Sequence, residues 1–228
     1  MNLAPAHIKT LAVGARGEIG DEPARLAINV ANAAVAQIGD DGSVRGPAAE
    51  IAASLSHLLN HPVEFVPYES ASAIVGAVEL SAWHAAFIAH DPSRSDQFTF
   101  TPPYLSITAA LVSGVASMRS LEEVDRPGHI IASVRGAVFD RHLRSLIVHA
   151  EVIGCTTPTD ALALLTAGRV HAAAGIRGAL DAFAATRPAQ YVLSGDFAVL
   201  QQAIAVHRER PCLAKLLADI VVARTSSN

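Results

Sequence analysis

The chain has 228 residues, of which 51% are apolar, and its 17 basic and 21 acidic side chains give a formal net charge of −4. High hydrophobicity with low net charge excludes a disordered chain. The sequence has no dense Lys/Arg cluster, which argues against a nucleic-acid-binding face and against a basic membrane-surface helix. Two cysteines are too few for a disulfide framework or a thiolate zinc site. We therefore expect a globular protein that handles small molecules, without a metal or a cofactor.

The sequence predicts neither a membrane span nor a secretory signal. Its strongly apolar runs stop well short of the ~20 residues that cross a bilayer. Residues 1–24 contain one early lysine and no continuous apolar region, which makes a poor signal peptide. Two alternatives follow: a protein that stays in the cytoplasm, or a chain whose leader has been removed.

Short apolar runs alternate along the chain with stretches of helical spacing. Pro47 is a favoured first residue of a helix, and Ile51, Leu55 and Leu59 then fall on one face. In the first half we predict strands at 25–30, 63–66, 85–89 and 109–112, and helices at 46–59 and 71–80.

The second half of the chain continues the same alternation. Ser120 and Glu123 have the spacing of a capping box, while Thr157, Pro158 and Asp160 form a helix start. We predict strands at 130–134, 152–155, 170–175, 191–193 and 203–206, and helices at 137–149, 157–168, 177–186 and 211–223. Alternation with short connections predicts an α/β protein whose parallel sheets are covered by helices.

The order of these segments resembles a known family. The segments that carry the resemblance are RLAIN (25–29), GPAAEIAASLSHLL (46–59), VEFVPYES (63–70), AAFIAHDPSRSDQFTFTPPYL (85–105), IIASVRGAVFDRHL (130–143) and TPTDALALLTAGRVHAAAG (157–175). Together they resemble the type II periplasmic solute-binding proteins, and more narrowly the family 3 extracellular solute-binding proteins of ABC importers. Arg94 followed by FTPPY at 100–104 is the most specific piece.

The resemblance implies two α/β lobes, each a mainly parallel sheet flanked by helices, with a ligand cleft between them and two crossover strands as the hinge. Lobe one would comprise 1–110 plus 203–228, and lobe two 111–202. The crossings would lie near 109–112 and 198–205. Periodicity alone does not distinguish this arrangement from a single doubly wound sheet.

Arg94 is the first candidate ligand-binding residue. The resemblance implies that it grips a ligand carboxylate, and a planar guanidinium suits this role because its paired donors match two carboxylate oxygens. The alternative is a surface arginine that balances Asp91 or Asp96. Asn29 and Asn32 follow the first strand, where relatives place residues that line the cleft, although Asn32 could equally cap a turn.

The second lobe offers a helix start. Gly136, Ala137 and Val138 open the helix that follows strand 130–134, and a helix N-terminus can hold an anion through free backbone N–H groups. The resemblance implies backbone contacts to the ligand from this loop. Arg135 would add positive charge or stay in solvent, and Gly136 would otherwise be an ordinary turn glycine.

His90 and Asp91 lie where the family's strand delivers side chains into the cleft, so both are candidate ligand contacts. A histidine beside an acid also suits general acid–base catalysis. Adjacent residues of an extended strand point to opposite faces, however, which argues against a dyad. The spacing of His57 and His61 does not favour zinc, because Asn60 to Pro62 ends that helix.

Ile176 stands where amino-acid binders of the family usually have an acid that holds the ligand's ammonium. A hydrophobic side chain cannot compensate a buried ammonium. We therefore expect a carboxylate-bearing solute without that amine, bound by a monomeric solute-binding protein that docks to an ABC permease in the periplasm. The alternatives are a dehydratase on the same fold, similar to cyclohexadienyl dehydratase, and a cytoplasmic ligand sensor.

Overall fold

The computed structural model describes residues 5–77 and 82–226. It divides into two compact units. The first unit contains Met1–Ser106 and Gln201–Asn228, and the second contains Ile107–Leu200. The chain therefore enters the second unit after Ser106 and returns to the first at Gln201.

Strands and helices alternate through both units. The helices are α1 (Pro5–Ile19), α2 (Pro47–Leu59), α3 (Ala71–Gly76), α4 (Leu121–Val124), α5 (Val138–Leu146), α6 (Pro158–Thr166), α7 (Arg177–Ala185) and α8 (Pro211–Thr225), with a 3-10 turn at Pro92–Arg94. The strands are β1 (Ala24–Asn29), β2 (Gln37–Ile38), β3 (Val44–Arg45), β4 (Val63–Tyr68), β5 (Ala85–Ala89), β6 (Phe98–Phe100), β7 (Leu105–Ser113), β8 (Ile130–Val134), β9 (Glu151–Cys155), β10 (Ala172–Ile176), β11 (Tyr191–Val192) and β12 (Ala198–His207).

The sheet of the first unit has the order β4-β1-β5-β12, with β6 paired to β12. Strands β4, β1 and β5 are parallel, whereas β12 is antiparallel to β5. Both faces are covered, which explains why β1 and β5 are nearly continuous apolar runs. Leu26, Ile28, Leu55, Phe87 and Ile204 form part of the buried core.

The second unit repeats this plan. Its sheet has the order β7-β10-β8-β9, in which β10, β8 and β9 are parallel and β7 is antiparallel to β10. Helix α6 begins at the predicted helix start, which the structure shows to be a capping box: Thr157 accepts a hydrogen bond from the Asp160 N–H, and the Asp160 carboxylate accepts one from the Thr157 N–H. Ala132, Leu165 and Leu180 are buried in the hydrophobic core of the second unit.

Helix α1 was not predicted. Its sequence contains Gly14 and Gly17, and glycine disfavours helix interiors. The helix is stabilised by packing against α8 and α2. Its Glu18 accepts hydrogen bonds from the backbone N–H groups of Cys212 and Leu213 at 2.9 Å each, and so caps the first turn of α8.

Helix α5 ends at Leu146, although a helix to residue 149 was predicted. A residue outside the helix explains this end. The Asp125 carboxylate accepts hydrogen bonds from the backbone N–H groups of Val148, His149 and Ala150 at 2.7–2.9 Å. These bonds hold the segment in a non-helical conformation. Of the predicted helix 71–80, residues 78–80 lie outside the described part of the chain.

Candidate functional site

Five of the predicted site residues lie at or just after the carboxyl ends of two adjacent strands of the first unit. Asn29 ends β1 and Asn32 lies in the turn after it, while His90, Asp91 and Arg94 follow β5. Because β1 and β5 are parallel neighbours, their carboxyl ends meet at one sheet edge, which is where open α/β sheets usually bind ligands. We call these five residues the first-unit patch.

Asp91 and Arg94 form an ion pair. Asp91 Oδ2 lies 2.9 Å from Arg94 Nε, and the two side chains are 3% and 17% exposed. The Asp91 carboxylate also caps the 3-10 turn, accepting hydrogen bonds from the Ser93 N–H at 3.2 Å and the Ser93 hydroxyl at 2.7 Å. The acid thus fixes both the loop and the orientation of the guanidinium.

Asn29 and Asn32 shape the turn that follows β1. The Asn29 side chain accepts a hydrogen bond from the Ala31 N–H at 3.1 Å, and the Asn32 backbone carbonyl accepts one from the Val35 N–H at 3.0 Å. Both contacts lie within the turn itself. The backbone of Asn32 thus has the turn role that the sequence offered as the alternative to ligand binding.

The Asn32 side chain makes a long-range contact that sequence reasoning missed. Its Nδ2 donates to Gln202 Oε1 at 3.3 Å, and the two residues are 5% and 2% exposed. Asn32 Oδ1 is buried without a hydrogen-bond partner, which is costly unless a donor reaches it. Gln202 lies on β12 opposite Ala89, the last residue of β5, so its place beside the patch comes from strand register.

His90 is held mainly through its backbone and its ring face. Its N–H donates to the Gln201 carbonyl at 2.7 Å, and its ring packs edge-on against Phe100 with centroids 5.0 Å apart. Tyr104 packs in the same way against Phe87, and burial raises the pKa of its phenol. Phe100 therefore packs on a residue of the patch, whereas Tyr104 packs on Phe87 of β5.

The predicted helix start of the second unit is capped from within. Gly136 has a positive φ of 78°, which favours glycine, and Ala137 is the N-cap of α5. The Gly136 N–H donates to Asp140 Oδ2 at 3.4 Å, and both oxygens of Asp140 bind Arg144 Nε at 3.1 and 3.2 Å. A buried acid thus already lies in the first turn where an anion was predicted.

Arg135 and Val138 flank this loop. The Arg135 N–H donates to the Cys155 carbonyl at 3.0 Å, and its side chain lies across Gly154 of β9. A Cβ on Gly154 would come within 2.8 Å of Arg135 Nε. Val138 is the first residue of α5. A side chain at position 154 would therefore displace Arg135 from its place against β9.

Ile176 ends β10 and precedes α7, where its backbone serves as the N-cap. The next residue, Arg177, forms an ion pair with Asp196 and donates to the carbonyls of Gly195 at 2.7 Å and Leu193 at 3.2 Å. Arg177 thus fixes the segment before β12, and Ile176 places an apolar side chain at the end of β10.

Within the described ranges, the structure contains no group of three or more His, Cys, Asp or Glu side chains that could hold a metal ion. His61 contacts the Glu22 carbonyl through Nε2 at 2.7 Å, so it has a structural partner. Among the helices that the structure describes, none combines the length and apolar character needed to span a bilayer.

No family model and no curated protein matches this chain. Several solved structures do. Holo ArgBP from T. maritima has a TM-score of 0.74 at 18% identity, over 88% of this chain and 89% of that one. A Salmonella typhimurium periplasmic binding protein with high arginine specificity has a TM-score of 0.77 at 14% identity, over 90% and 94%.

A third similar structure is an ancestral amino acid-binding protein described as a precursor of cyclohexadienyl dehydratase. Its TM-score is 0.75 at 17% identity, over 95% of this chain and 94% of that one. Because these three structures are only 14–18% identical to this chain, their similarity shows a shared fold and does not show a shared ligand. The chain therefore has the α/β fold of the type II periplasmic solute-binding proteins, as its sequence predicts.

Proposed function

We propose that this chain is a solute-binding protein whose first-unit patch binds a small, polar, carboxylate-bearing molecule. The observation that carries the proposal is the Asp91–Arg94 ion pair at the carboxyl edge of the sheet, beside the buried Asn32–Gln202 amide pair. An arginine oriented by a buried acid is preorganised, and preorganisation lowers the cost of binding. We further propose that the two units correspond to the predicted lobes, 1–110 plus 203–228 and 111–202.

Two kinds of group in the patch suit such a ligand. A guanidinium has five N–H donors in a planar fork and binds carboxylates through charge-assisted hydrogen bonds. An amide both donates and accepts, so Asn29 and Asn32 suit a hydroxyl or a second polar group of the ligand. Contacts from Arg135, Gly136, Ala137 and Val138 stay a prediction, which the internal Asp140 contact weakens.

The absence of an acid at Ile176 supports an organic acid over a free α-amino acid. An ammonium buried against an isoleucine would lose its hydration without gaining a partner. We therefore expect hydroxy or keto acids to bind more tightly than the amino acids that share their carbon skeletons.

A thermal-shift panel tests this proposal. The panel contains small hydroxy, keto and dicarboxylic acids, the matching amino acids, and the primary amide of each acid. A ligand at about 100 times its Kd adds about 2.7 kcal/mol of stability, so the acid should raise the Tm clearly while its amide does not. Equal shifts from an acid and its amide would contradict a carboxylate-binding role, and a larger shift from the amino acid would contradict the role given to Ile176.

Binding rather than turnover is the inferred activity. Asp91 contacts Ser93 and Arg94, which is a positioning role, and the His90 ring packs on Phe100. The dehydratase alternative needs His90 as a base, and turnover of prephenate or arogenate that falls on His90→Ala substitution would support it.

We also propose that the protein acts as a monomer in the periplasm and delivers its solute to an ABC permease. The support is the resemblance of the sequence and the description of one structural neighbour as a periplasmic binding protein. Fractionation of the native host tests the compartment, because recovery in the cytoplasm would favour the sensor alternative. Light scattering on the purified protein tests the monomer.

A further inference from the structure

A second candidate site lies within the first unit, away from the first-unit patch. Helices α1, α2 and α8 enclose a groove of about 520 Å³, which falls in the size range of small-molecule pockets. Its apolar walls are formed by Ile8, Ile51, Leu58, Ile220 and Ala223. We call this cavity the three-helix groove.

One oxygen of Asp219 is the acceptor in the groove that a ligand could satisfy. Asp219 lines the groove, is only 6% exposed, and its Oδ2 is buried without a hydrogen-bond partner. Lys215 Nζ contacts the other oxygen, Oδ1, at 2.7 Å. His7 Nε2 lies 3.6 Å from Oδ2, which is too far for a hydrogen bond. A buried carboxylate oxygen without a donor is unfavourable, so a donor placed there would stabilise the site.

The remaining polar groups of the groove do not supply that donor. Glu50 and Arg224 form an ion pair with each other, and the Ser54 hydroxyl donates to the Glu50 backbone carbonyl at 3.0 Å. His57 lines the groove as well, in the last turn of α2. The groove thus combines apolar walls with one buried anionic acceptor.

From this combination we propose that the three-helix groove binds a small amine with a hydrocarbon body. The ammonium donates to Asp219 Oδ2, and the hydrocarbon lies against Ile51, Leu58 and Ile220. An anionic ligand is disfavoured because it has no donor for the buried Asp219 Oδ2 and would place a second carboxylate beside that oxygen. A neutral alcohol can donate to Oδ2, but its hydrogen bond lacks the second charge that an ammonium supplies. The proposal does not depend on the function proposed for the first-unit patch.

Calorimetric titration of the full chain with n-hexylammonium, n-hexanol and n-hexanoate tests the proposal. The titration is run at about pH 8, which lies above the ordinary pKa of a free imidazole. The amine should bind at one equivalent, about tenfold or more tighter than the alcohol, and the carboxylate should not bind. No binding of the amine, or equal affinity for amine and alcohol, would overturn the proposal.

Three variants locate the site. Asp219→Asn should lower the affinity for hexylammonium about tenfold or more while hexanol is unaffected. Ala223→Trp, at an exposed position on the groove wall, should fill the groove and abolish binding even if the Asp219 variant folds poorly. His7→Ala should retain binding. Unchanged affinity in Asp219→Asn, or binding that appears only in His7→Ala, would overturn the proposal, since the second result would make His7 the native partner.

Discussion

The Nδ1 atom of His84 accepts a hydrogen bond from the backbone N–H of Arg25 at 2.8 Å, while the His84 N–H donates to the Arg25 carbonyl at 2.8 Å. His84 comes directly before β5 and Arg25 lies on the parallel neighbour β1. The second unit contains the same arrangement. His171 precedes β10, and its Nδ1 accepts a hydrogen bond from the Ile130 N–H of β8 at 3.0 Å. In each unit an imidazole thus extends the ladder between two parallel strands by one bond.

This contact makes stability depend on pH. Burial, and after it the charges of Arg210 and Arg25, lower the pKa of His84 from 6.5 to about 4. Between these values the unfolded chain binds a proton that the folded chain does not, so stability is full above pH 6.5 and falls as the pH drops toward 4. The loss should approach roughly 2–3 kcal/mol, measured by urea unfolding between pH 7 and pH 4.5.

His84→Asn separates this effect from general acid sensitivity. An asparagine oxygen can accept from the Arg25 N–H without titrating, so the variant should lose less stability than the parent over the same pH range. The exposed His142→Asn serves as the matched control and should behave like the parent. Parallel pH curves for the parent and His84→Asn would show that His84 does not carry the effect.

A second prediction concerns the contact between α1 and α8. A Cβ on Gly14 would lie 2.5 Å from Cys212 Sγ, whereas a Cβ on Gly17 would meet nothing within 4 Å. Gly17→Ala should therefore stabilise the protein by about 0.5–1 kcal/mol through helix propensity. Gly14→Ala should destabilise it by about 1–3 kcal/mol through overpacking.

The double variant Gly14→Ala, Cys212→Ala should recover part of that loss, because it removes the sulfur that the new methyl group meets. Denaturant unfolding of the three variants gives the comparison. Equal stabilisation by the two glycine substitutions would contradict the packing of α1 against α8.

A third prediction concerns Asp91. Asp91→Asn keeps an acceptor for Ser93 but removes the charge that holds Arg94, and both side chains are largely buried. Stability should fall by about 1–3 kcal/mol, less than for a fully buried pair because Arg94 can still reach water. The exposed Asp96→Asn is the control and should stay within about 0.5 kcal/mol of the parent. Equal chemical-denaturation midpoints for both variants would show that the ion pair does not stabilise the loop.

The sequence predicted the strands well where both faces are buried. Strands β5 and β8 have the predicted bounds, since a parallel strand between helices is an apolar run that polar residues end. Helix α1 escaped prediction because its stability comes from packing on α8, almost 200 positions away in the chain. The local sequence argued against a helix, because Gly14 and Gly17 disfavour one.

The candidate site also contains residues that the sequence suggested and contacts that it did not. The resemblance implied Asn29, His90 and Arg94 as cleft residues, and the structure places them at or after the carboxyl ends of the parallel neighbours β1 and β5. The pairing of Asn32 with Gln202 spans 170 positions and depends on the register of an antiparallel strand, which no local pattern encodes. The Asp140 cap of the Gly136 loop is only four residues away, and an acid in the first helical turn was the available signal.

Calorimetric titration of the Arg94 variants with the acid that gives the largest thermal shift tests the central claim most directly. Arg94→Ala should weaken carboxylate binding by about 10–100-fold, as expected for loss of a charge-assisted hydrogen bond. Arg94→Lys should restore only part of it, because an ammonium lacks the planar fork. Arg45→Ala, an exposed arginine of the same unit, should bind like the parent. Undiminished affinity in Arg94→Ala, with the fold intact, would contradict the account.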